Sequence, residues 1–321
     1  MCLTYWCMVI MSYVEYNNVK YPVQIDYKSR KYGDFFLHLF VENAFELKNW
    51  KSELIQVKSL RLDYTRISDI RKIKNLKNLT QLEALDLSLN NITKIEGLEN
   101  LTNLTHLKLS ENKIKRIEGL ENLTSLKVLD LSGNEIQKIQ GLENQINLEA
   151  LKFSDRGHAD VGNKITRIEN LDRLEKLETL ELAYNEIRNI KGLDNLKNLQ
   201  YLDLFNNKIE KIENLNKLKN LKMLDLAGNQ IKKIENLNYL DSLYYLNLGA
   251  NRIHELNDLK SLKNLRVFMI YSNPIKTITN YEVLENLQIV FIDLDDLDKA
   301  GQKKFLSIFK LDREYEAYVP K

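Results

Sequence analysis

A chain of 321 residues has room for one large domain or two ordinary ones, so length alone does not settle its organisation. Its 47 lysine and arginine residues against 45 aspartate and glutamate residues give a formal net charge of +2, which excludes the basic excess expected of a protein whose main partner is a phosphate backbone. The two cysteines, Cys2 and Cys7, lie outside the repeats described below and cannot build a disulfide framework or a paired metal-ligand motif. Such sparse cysteine use fits a reducing compartment.

We predict that the chain begins with a short extension, which is followed by a cap. Residues 1–11 are apolar, but they lack the basic start and cleavage site of a secretion signal and are too short to span a bilayer. We interpret them as a disordered or mis-started extension. Residues 12–56 are predicted to cap the domain, with a hairpin around Asn17 and Asn18 and aromatic bulk in residues 34–47. The pattern of residues 34–47 fits a strand as well as a helix.

A unit of 22 residues repeats from residue 57 to residue 286. Its pattern is LxxLxLxxNxIxxIxxLxxL, as in the string LEALDLSLNNITKIEGLENLTN. A period of 22 residues with this spacing of leucine and asparagine is the signature of a leucine-rich-repeat solenoid. The ten units begin at Val57, Leu82, Leu104, Leu126, Leu148, Leu177, Leu199, Leu221, Leu243 and Leu265, and a partial unit begins at Leu287.

We call the equivalent positions of successive units a column. The pattern of the apolar columns can be explained physically. The LxL core has a period of two, so Leu85 and Leu87 should point inward from a short strand while Asp86 faces out. The isoleucines and leucines that follow are spaced by three, which suits a short 3-10 or helical segment on the opposite, convex side. We call this segment of each unit the return, because it leads the chain back to the next strand. One unit cannot bury these side chains alone, but stacked units can. The sequence therefore predicts an α/β solenoid, a horseshoe with a parallel concave sheet and short convex turns, capped at both ends.

Two polar columns are predicted to serve the backbone. A buried asparagine where the strand ends can donate and accept hydrogen bonds in a turn that would otherwise leave polar groups unpaired. That column contains Asn90, Asn112, Asn134, Asn163, Asn185, Asn207, Asn229, Asn251 and Asn273. A second column holds residue types that tolerate a left-handed backbone. It contains Gly97, Gly119, Gly141, Asn170, Gly192, Asn214 and Asn236.

The unit that begins at Leu148 is seven residues longer than its neighbours. The excess, residues 156–162, lies between the end of the strand and Asn163, and Gln145 just before it stands where a leucine is expected. Three side chains here carry metal-ligand chemistry: Asp155, His158 and Asp160. Their spacing matches no recognised metal motif, so we interpret the insertion as a tolerated surface loop. A role in binding stays open, because insertions in such repeats often lie on a binding face.

Residues 287–321 are predicted to form a C-terminal cap. Asp295 is the candidate N-cap of an amphipathic helix. The apolar positions of that helix are Leu297, Gly301, Phe305, Ile308 and Phe309.

The sequence contains none of the motifs that mark catalysis or cofactor binding. It has no nucleophile elbow, phosphate-binding glycine loop, HExxH, paired CxxC or dinucleotide fingerprint. Its four histidines are scattered through different units. We therefore predict that the protein is not an enzyme and uses no cofactor and no metal.

Two charged rows follow the first isoleucine of the return. The basic row contains Lys94, Arg116, Lys138, Arg167, Lys211 and Lys233. The acidic row, two places further on, contains Glu96, Glu118, Glu169, Glu213 and Glu235. We interpret the rows as an exposed ladder of weak ion pairs, nearly neutral together, and not as a nucleic-acid track.

The outward positions of the strands differ between the two halves of the chain. In the N-terminal half they are small or charged, whereas in the C-terminal half they are aromatic, methionine and acidic. Exposed apolar groups that the fold does not require indicate a binding surface, and neighbouring carboxylates favour a basic partner. The alternative is that these side chains only pack along the sheet and stabilise it. The candidate partner-binding residues are Glu181, Tyr184, Tyr201, Asp203, Phe205, Met223, Asp225, Tyr245, Met269 and Tyr271.

The strings NKIKRIEGLENLTSLKVLDLSGN and NKIEKIENLNKLKNLKMLDLAGN resemble the 22-residue repeat class typified by regulatory subunits of type-one serine/threonine phosphatases. A spliceosomal protein and an axonemal dynein light chain share this class, and bacterial surface internalins have similar repeats. In the phosphatase subunits, concave acidic and aromatic residues contact the enzyme. The resemblance implies such a role for the residues in comparable columns here, namely Glu181, Asp203, Phe205 and Asp225.

The expected function is that of a non-catalytic scaffold or adaptor for protein–protein interaction. Its concave face is expected to bind a protein with a basic or mixed surface, such as a phosphatase or a regulated GTPase. A small-molecule substrate and a membrane are not expected, and nucleic acid is disfavoured as a partner. We expect a cytoplasmic location. The alternatives are a ribonucleoprotein assembly factor and a secreted, internalin-like surface adhesin.

Overall fold

The computed structural model describes the backbone of three N-terminal strands and most of the chain beyond residue 57. The described residues beyond it are 58–154, 162–256, 259, 261–279, 284, 286–312 and 317–321. The N-terminal strands are β1 (Ser12–Tyr16), β2 (Val19–Ile25) and β3 (Leu37–Leu39). Strands β1 and β2 pair antiparallel, which confirms the hairpin predicted there. The predicted extension at residues 1–11, most of residues 34–47 and the insertion with its three candidate metal ligands lie outside the described residues.

The central element is a sheet of 13 strands. Each repeat contributes a strand of three residues, and neighbouring strands pair in parallel and in register. These strands are β4 (Ser59–Arg61), β5 (Ala84–Asp86), β6 (His106–Lys108), β7 (Val128–Asp130), β8 (Ala150–Lys152), β9 (Thr179–Glu181), β10 (Tyr201–Asp203), β11 (Met223–Asp225), β12 (Tyr245–Asn247), β14 (Val267–Met269) and β16 (Ile289–Phe291). The stack confirms the predicted leucine-rich-repeat solenoid.

The core follows the repeat pattern. Leu85 and Leu87 are 1% and 0% exposed, and the leucines and isoleucines of the returns are buried in the same way. The returns are mostly turns, with 3-10 helices at Ile70–Lys72 and Leu76–Asn78 and a small parallel sheet of β13 (Glu255–Leu256) and β15 (Thr277–Ile278). Within the described part of the chain, no helix is long and apolar enough to cross a membrane.

The asparagine column forms a continuous hydrogen-bonded ladder. The amide nitrogen of Asn112 donates to the carbonyl of Leu109 in its own turn and to the carbonyl of Leu87 in the preceding unit, at 3.1 and 3.0 Å. Its amide oxygen accepts from the backbone N–H of Ile92, also in the preceding unit, at 2.9 Å. The same set of bonds recurs along the stack as far as Asn273. The predicted structural role of this column is therefore confirmed.

The glycine and asparagine column adopts the predicted left-handed backbone. All seven residues have positive φ, from 58° to 86°. A side chain on Gly192 would place its Cβ 2.6 Å from the carbonyl oxygen of Ile168. In the next unit Asn214 occupies this position, and its amide nitrogen donates to the corresponding carbonyl of Ile190 at 2.6 Å. Glycine thus fits because it has no Cβ near the carbonyl, whereas asparagine fits because its amide donates a hydrogen bond to that carbonyl.

Gly192→Ala should therefore lower the free energy of unfolding by about 1–3 kcal/mol, since alanine disfavours positive φ and its methyl group meets a carbonyl. Gly192→Asn should lower it by clearly less, because asparagine tolerates this backbone and can donate to Ile168. Chemical denaturation of both variants measures the difference. Equal losses in the two variants would show that neither the asparagine hydrogen bond nor its tolerance of positive φ stabilises this position.

Gln145 is the irregular member of an otherwise leucine column. It is 0% exposed, and its amide nitrogen donates to the carbonyl of Leu120 at 2.7 Å. No donor among the described residues pairs with its amide oxygen. The Leu120 carbonyl also accepts from the N–H of Leu123 at 2.9 Å, so it keeps a partner without Gln145. A buried and unpaired amide oxygen destabilises the folded state.

Gln145→Leu should raise the free energy of unfolding by about 1–2 kcal/mol, because it removes this unpaired oxygen and restores the repeat consensus. Gln145→Ala is the matched control. It also removes the oxygen but leaves a cavity, so it should lower stability. Thermal melts of the three proteins test the order, and a less stable Gln145→Leu variant would contradict it.

The C-terminal helix begins later than predicted. Helix α1 spans Lys299–Ile308, and its N-cap is Asp298, whose carboxylate accepts from the N–H of Gly301 at 2.6 Å. Asp295 is not the cap, because the chain first makes a turn that buries Leu297, with a bond from the Leu297 N–H to the carbonyl of Leu294. The helix therefore cannot start before that turn is complete.

Two further strands complete the C-terminal end. The predicted helix included Phe309, but this residue begins β17 (Phe309–Asp312), which pairs antiparallel with β18 (Ala317–Pro320). Strand β18 joins the main sheet beside β16, and β17 is its last strand. Phe309 stacks on Phe305 of the helix at 4.8 Å between ring centroids, and Tyr318 meets Phe305 edge-on at 5.2 Å. This aromatic cluster covers the end of the leucine core.

Candidate partner-binding face

The ten candidate residues all lie on the outward side of the sheet, at the strands from β9 to β14 or in the turns after them. In each strand the middle residue is buried and the two flanking residues face outward. We call the outward residues at the strand start the first row and those at the strand end the second row. Because neighbouring strands pair in register, the members of a row are about 4.8 Å apart. The first row brings together Tyr201, Met223 and Tyr245, and the second row aligns Glu181, Asp203, Asp225, Asn247 and Met269.

The large candidate side chains are half-buried and pack against one another. Tyr184 and Phe205 meet edge to face with ring centroids 5.1 Å apart. The hydroxyl of Tyr245 donates to the sulfur of Met269 at 3.5 Å. The ring of Tyr271 lies against Gly249, where an added Cβ would be 2.6 Å from ring carbons. The side chains therefore form a preorganised surface in which part of each ring still faces solvent.

The three acidic candidates differ in their surroundings. Asp203 is only 1% exposed, and its carboxylate accepts from the N–H of Phe205 at 3.0 Å and from the hydroxyl of Tyr201 at 3.3 Å. Asp225 is half-buried and accepts from Asn247 at 3.0 Å, while Glu181 forms an ion pair with Lys152 at 2.9 Å. Asp203 can therefore influence a partner through its charge but offers almost no surface for contact.

The second row shows a charge pattern that the sequence analysis missed. From β4 to β9 the charges alternate in register: Arg61, Asp86, Lys108, Asp130, Lys152 and Glu181. Each charge in this half thus has an oppositely charged neighbour. Beyond Glu181 the alternation stops, and Asp203 and Asp225 lie side by side on adjacent strands. The C-terminal half of the face is consequently more negative than the N-terminal half.

The hydroxyl of Tyr245 lies in this more negative half of the face and is partly buried. Burial, and to a smaller extent the nearby charge of Asp225, together raise the pKa of Tyr245 to about 12. The hydroxyl therefore stays protonated at neutral pH and remains a hydrogen-bond donor.

The sequence analysis also missed a row of residues in the turn, three places after the end of each strand. We call this the turn row. Each of its described members has a positive φ, although the residue types vary widely. Its members are Tyr64, Leu89, Glu111, Gly133, Tyr184, Asn206, Gly228, Ala250 and Ser272. Tyr64 and Leu89 are also 74% and 38% exposed, so the N-terminal end of the face is not entirely small and polar. No sequence signal marks this row, because only two of its members are glycine.

The two charged rows on the return side do not form the predicted ladder of ion pairs. Within the described residues, the basic row and the acidic row meet within 4.0 Å only at Lys94 and Glu96, which are 3.5 Å apart. The remaining basic side chains are exposed, whereas the remaining acidic ones are partly buried. Nor do three or more histidine, cysteine, aspartate or glutamate side chains gather to hold a metal ion anywhere in the described part of the chain.

Comparison with known proteins agrees with this architecture. A family model described as Leucine Rich repeats (2 copies) matches residues 80–122, 102–144, 175–217 and 219–261. No curated protein matches the sequence. The stacked strands and buried asparagines define a repeat solenoid of the leucine-rich type. With the matched repeats, they show that the chain folds as a leucine-rich-repeat solenoid.

Several solved structures share the fold at low sequence identity. An internalin (inlF) from Listeria monocytogenes is 23% identical with a TM-score of 0.57, over 77% of this chain and 87% of the internalin. The leucine-rich repeat domain of APL1B is 18% identical with a TM-score of 0.60, over 84% and 98% of the two chains. A leucine-rich-repeat protein of Leptospira interrogans is 21% identical with a TM-score of 0.52, over 79% and 83%. Likeness at these identities shows the fold alone.

The contact between Tyr271 and Gly249 can be tested by a double-mutant cycle. Gly249→Ala should destabilise the protein by about 1 kcal/mol, because the new methyl group displaces the ring of Tyr271. In a Tyr271→Ala background the same change should be neutral or stabilising, since the space is then open and alanine restricts the unfolded chain. Denaturant unfolding of the four proteins gives the coupling free energy. Additive effects would contradict the contact.

Proposed function

We propose that this protein is a non-catalytic scaffold that binds a partner protein on the outward face of strands β9 to β14. The observation that carries the proposal is the set of half-buried aromatic and methionine side chains in neighbouring units. The repeat does not require these residue types, since small residues such as Ala84 and Val128 fill the same row elsewhere. Aromatic side chains supply large contact areas at low entropic cost, which is why they dominate binding hot spots.

The charge of the face supports a partner with a basic or mixed surface. The alternating charges of the N-terminal half neutralise one another. In the C-terminal half, by contrast, the two carboxylates Asp203 and Asp225 lie side by side on neighbouring strands. Negative potential next to aromatic rings attracts cationic side chains by electrostatics and by cation–π contact. Recognition would therefore combine aromatic anchors with lysine or arginine residues of the partner.

The test is capture of the partner from native cells by the wild-type chain and by a Tyr201→Ala/Phe205→Ala variant. The variant should lose the partner, with at least about a tenfold loss of affinity once the partner is purified. Val128→Ala/Ser132→Ala is the matched control, because it changes the two equivalent positions in the unit of β7. It should bind as the wild type does.

Circular dichroism melts should show that both variants remain folded. Unchanged capture by the Tyr201→Ala/Phe205→Ala variant would refute this location of the site. Nuclease treatment before capture separates protein binding from the alternative of a ribonucleoprotein assembly factor, because partners held through RNA would then be lost.

We propose more specifically that the partner is a phosphatase or a GTPase, which this protein regulates. This proposal is supported by the repeat class that the sequence resembles and by the acidic and aromatic columns. None of the three structures reported above is named as such a regulator, and their similarity shows only the fold. We further propose a cytoplasmic location. Cell fractionation distinguishes it from the surface location expected of an internalin-like adhesin.

A further inference from the structure

The C-terminal end of the main sheet is an edge formed by β17. Strand β17 pairs with β18 on one side and is the last strand in the order of the sheet. Lys310 and Leu311 are exposed, and Leu311 is 52% accessible although it is a large apolar residue. Edge strands that expose apolar side chains are templates for pairing with another strand.

The hydrogen-bond pattern decides which backbone groups of β17 face outward. The N–H of Lys321 donates to the carbonyl of Ile308 at 3.0 Å, so these two residues form a hydrogen-bonded pair. Such pairs alternate along an antiparallel ladder. With the observed register, Leu311 opposite Tyr318 is a pair without mutual hydrogen bonds. The N–H and carbonyl of Leu311 therefore point away from β18, toward the side of β17 on which no described strand pairs.

The side chains of β17 are self-complementary about Leu311. If two copies of β17 pair antiparallel with Leu311 opposite Leu311, the two residues exchange both backbone hydrogen bonds, as a two-fold axis requires. Lys310 of each copy then lies opposite Asp312 of the other, and opposite residues share a face of the sheet. Leu311 lies on the face of Phe309 and Tyr318, so the two aromatic clusters would join through the paired leucines.

We infer that β17 is a homodimerisation edge, through which a second copy of this chain pairs antiparallel about Leu311. The contact is small compared with stable interfaces, so the dimer is weak and forms at micromolar or higher concentrations. Both outward faces stay accessible, and the dimer presents two partner-binding faces to one partner assembly. This inference does not depend on the function proposed above, because its test needs no partner.

The test uses opposite charge changes in two variants of the whole chain. Lys310→Glu places like negative charges opposite each other in its own homodimer, and Asp312→Lys places like positive charges there. Each variant alone should dissociate at least about tenfold more readily than the wild type. A mixture of the two should form a heterodimer, because the introduced glutamate of one copy faces the introduced lysine of the other. The double variant Lys310→Glu/Asp312→Lys should dimerise as the wild type does.

Sedimentation velocity over a wide concentration range measures all of these species, with thermal melts as the control for folding. High salt should weaken the wild-type dimer, since its charged pairs are exposed. The inference is overturned if the wild type stays monomeric at the highest concentration, if either variant alone dimerises like the wild type, or if the mixture does not form heterodimers. The heterodimer also excludes misfolding as the reason why the single variants dissociate.

Discussion

The buried asparagine of each repeat is the constraint on which the rest of the structure depends. The turn after every strand takes backbone N–H and carbonyl groups out of water, and buried groups of this kind have to be paired. Asn112 bonds both to its own turn and to the unit before it, so one residue closes a repeat and positions its neighbour. Strands of three residues have few hydrogen bonds of their own. The asparagine ladder therefore does much to hold the register of the whole sheet.

Because this ladder and the leucine core use only inward positions, the outward rows are free to differ between units. The first row contains residues as different as Ala84, Val128 and Tyr201 on strands of the same geometry. In the N-terminal half, positive and negative residues alternate along the second row, so its net charge is close to zero. From β9 onward, carboxylates adjoin and aromatic rings replace small side chains. One continuous sheet thus presents two surfaces of different chemistry, and the difference is carried entirely by residues outside the repeat consensus.

The features that could be predicted from the sequence are those that recur. The asparagine ladder, the glycine column and the parallel stack each repeat with the 22-residue period, so spacing alone identified them. Features that occur once could not be found in this way. The sequence predicted Asp295 as the N-cap, whereas the helix is capped by Asp298 because the turn that buries Leu297 comes first. Strand β17 depends on pairing with β18, which no local pattern shows. Asp203 is likewise buried while it accepts hydrogen bonds from the hydroxyl of Tyr201 and the N–H of Phe205, which the repeat pattern does not indicate.

The turn row shows where stability and surface chemistry are in conflict. A bulky residue at positive φ costs about 1–2 kcal/mol relative to the ordinary backbone, and Gly133 and Gly228 occupy the same position without that cost. Tyr184 offsets part of the strain through its edge contact with Phe205. Tyr64, by contrast, is 74% exposed, and no ring contact with a described residue offsets its strain. Strain that the fold does not need is typical of residues that serve a contact with another molecule.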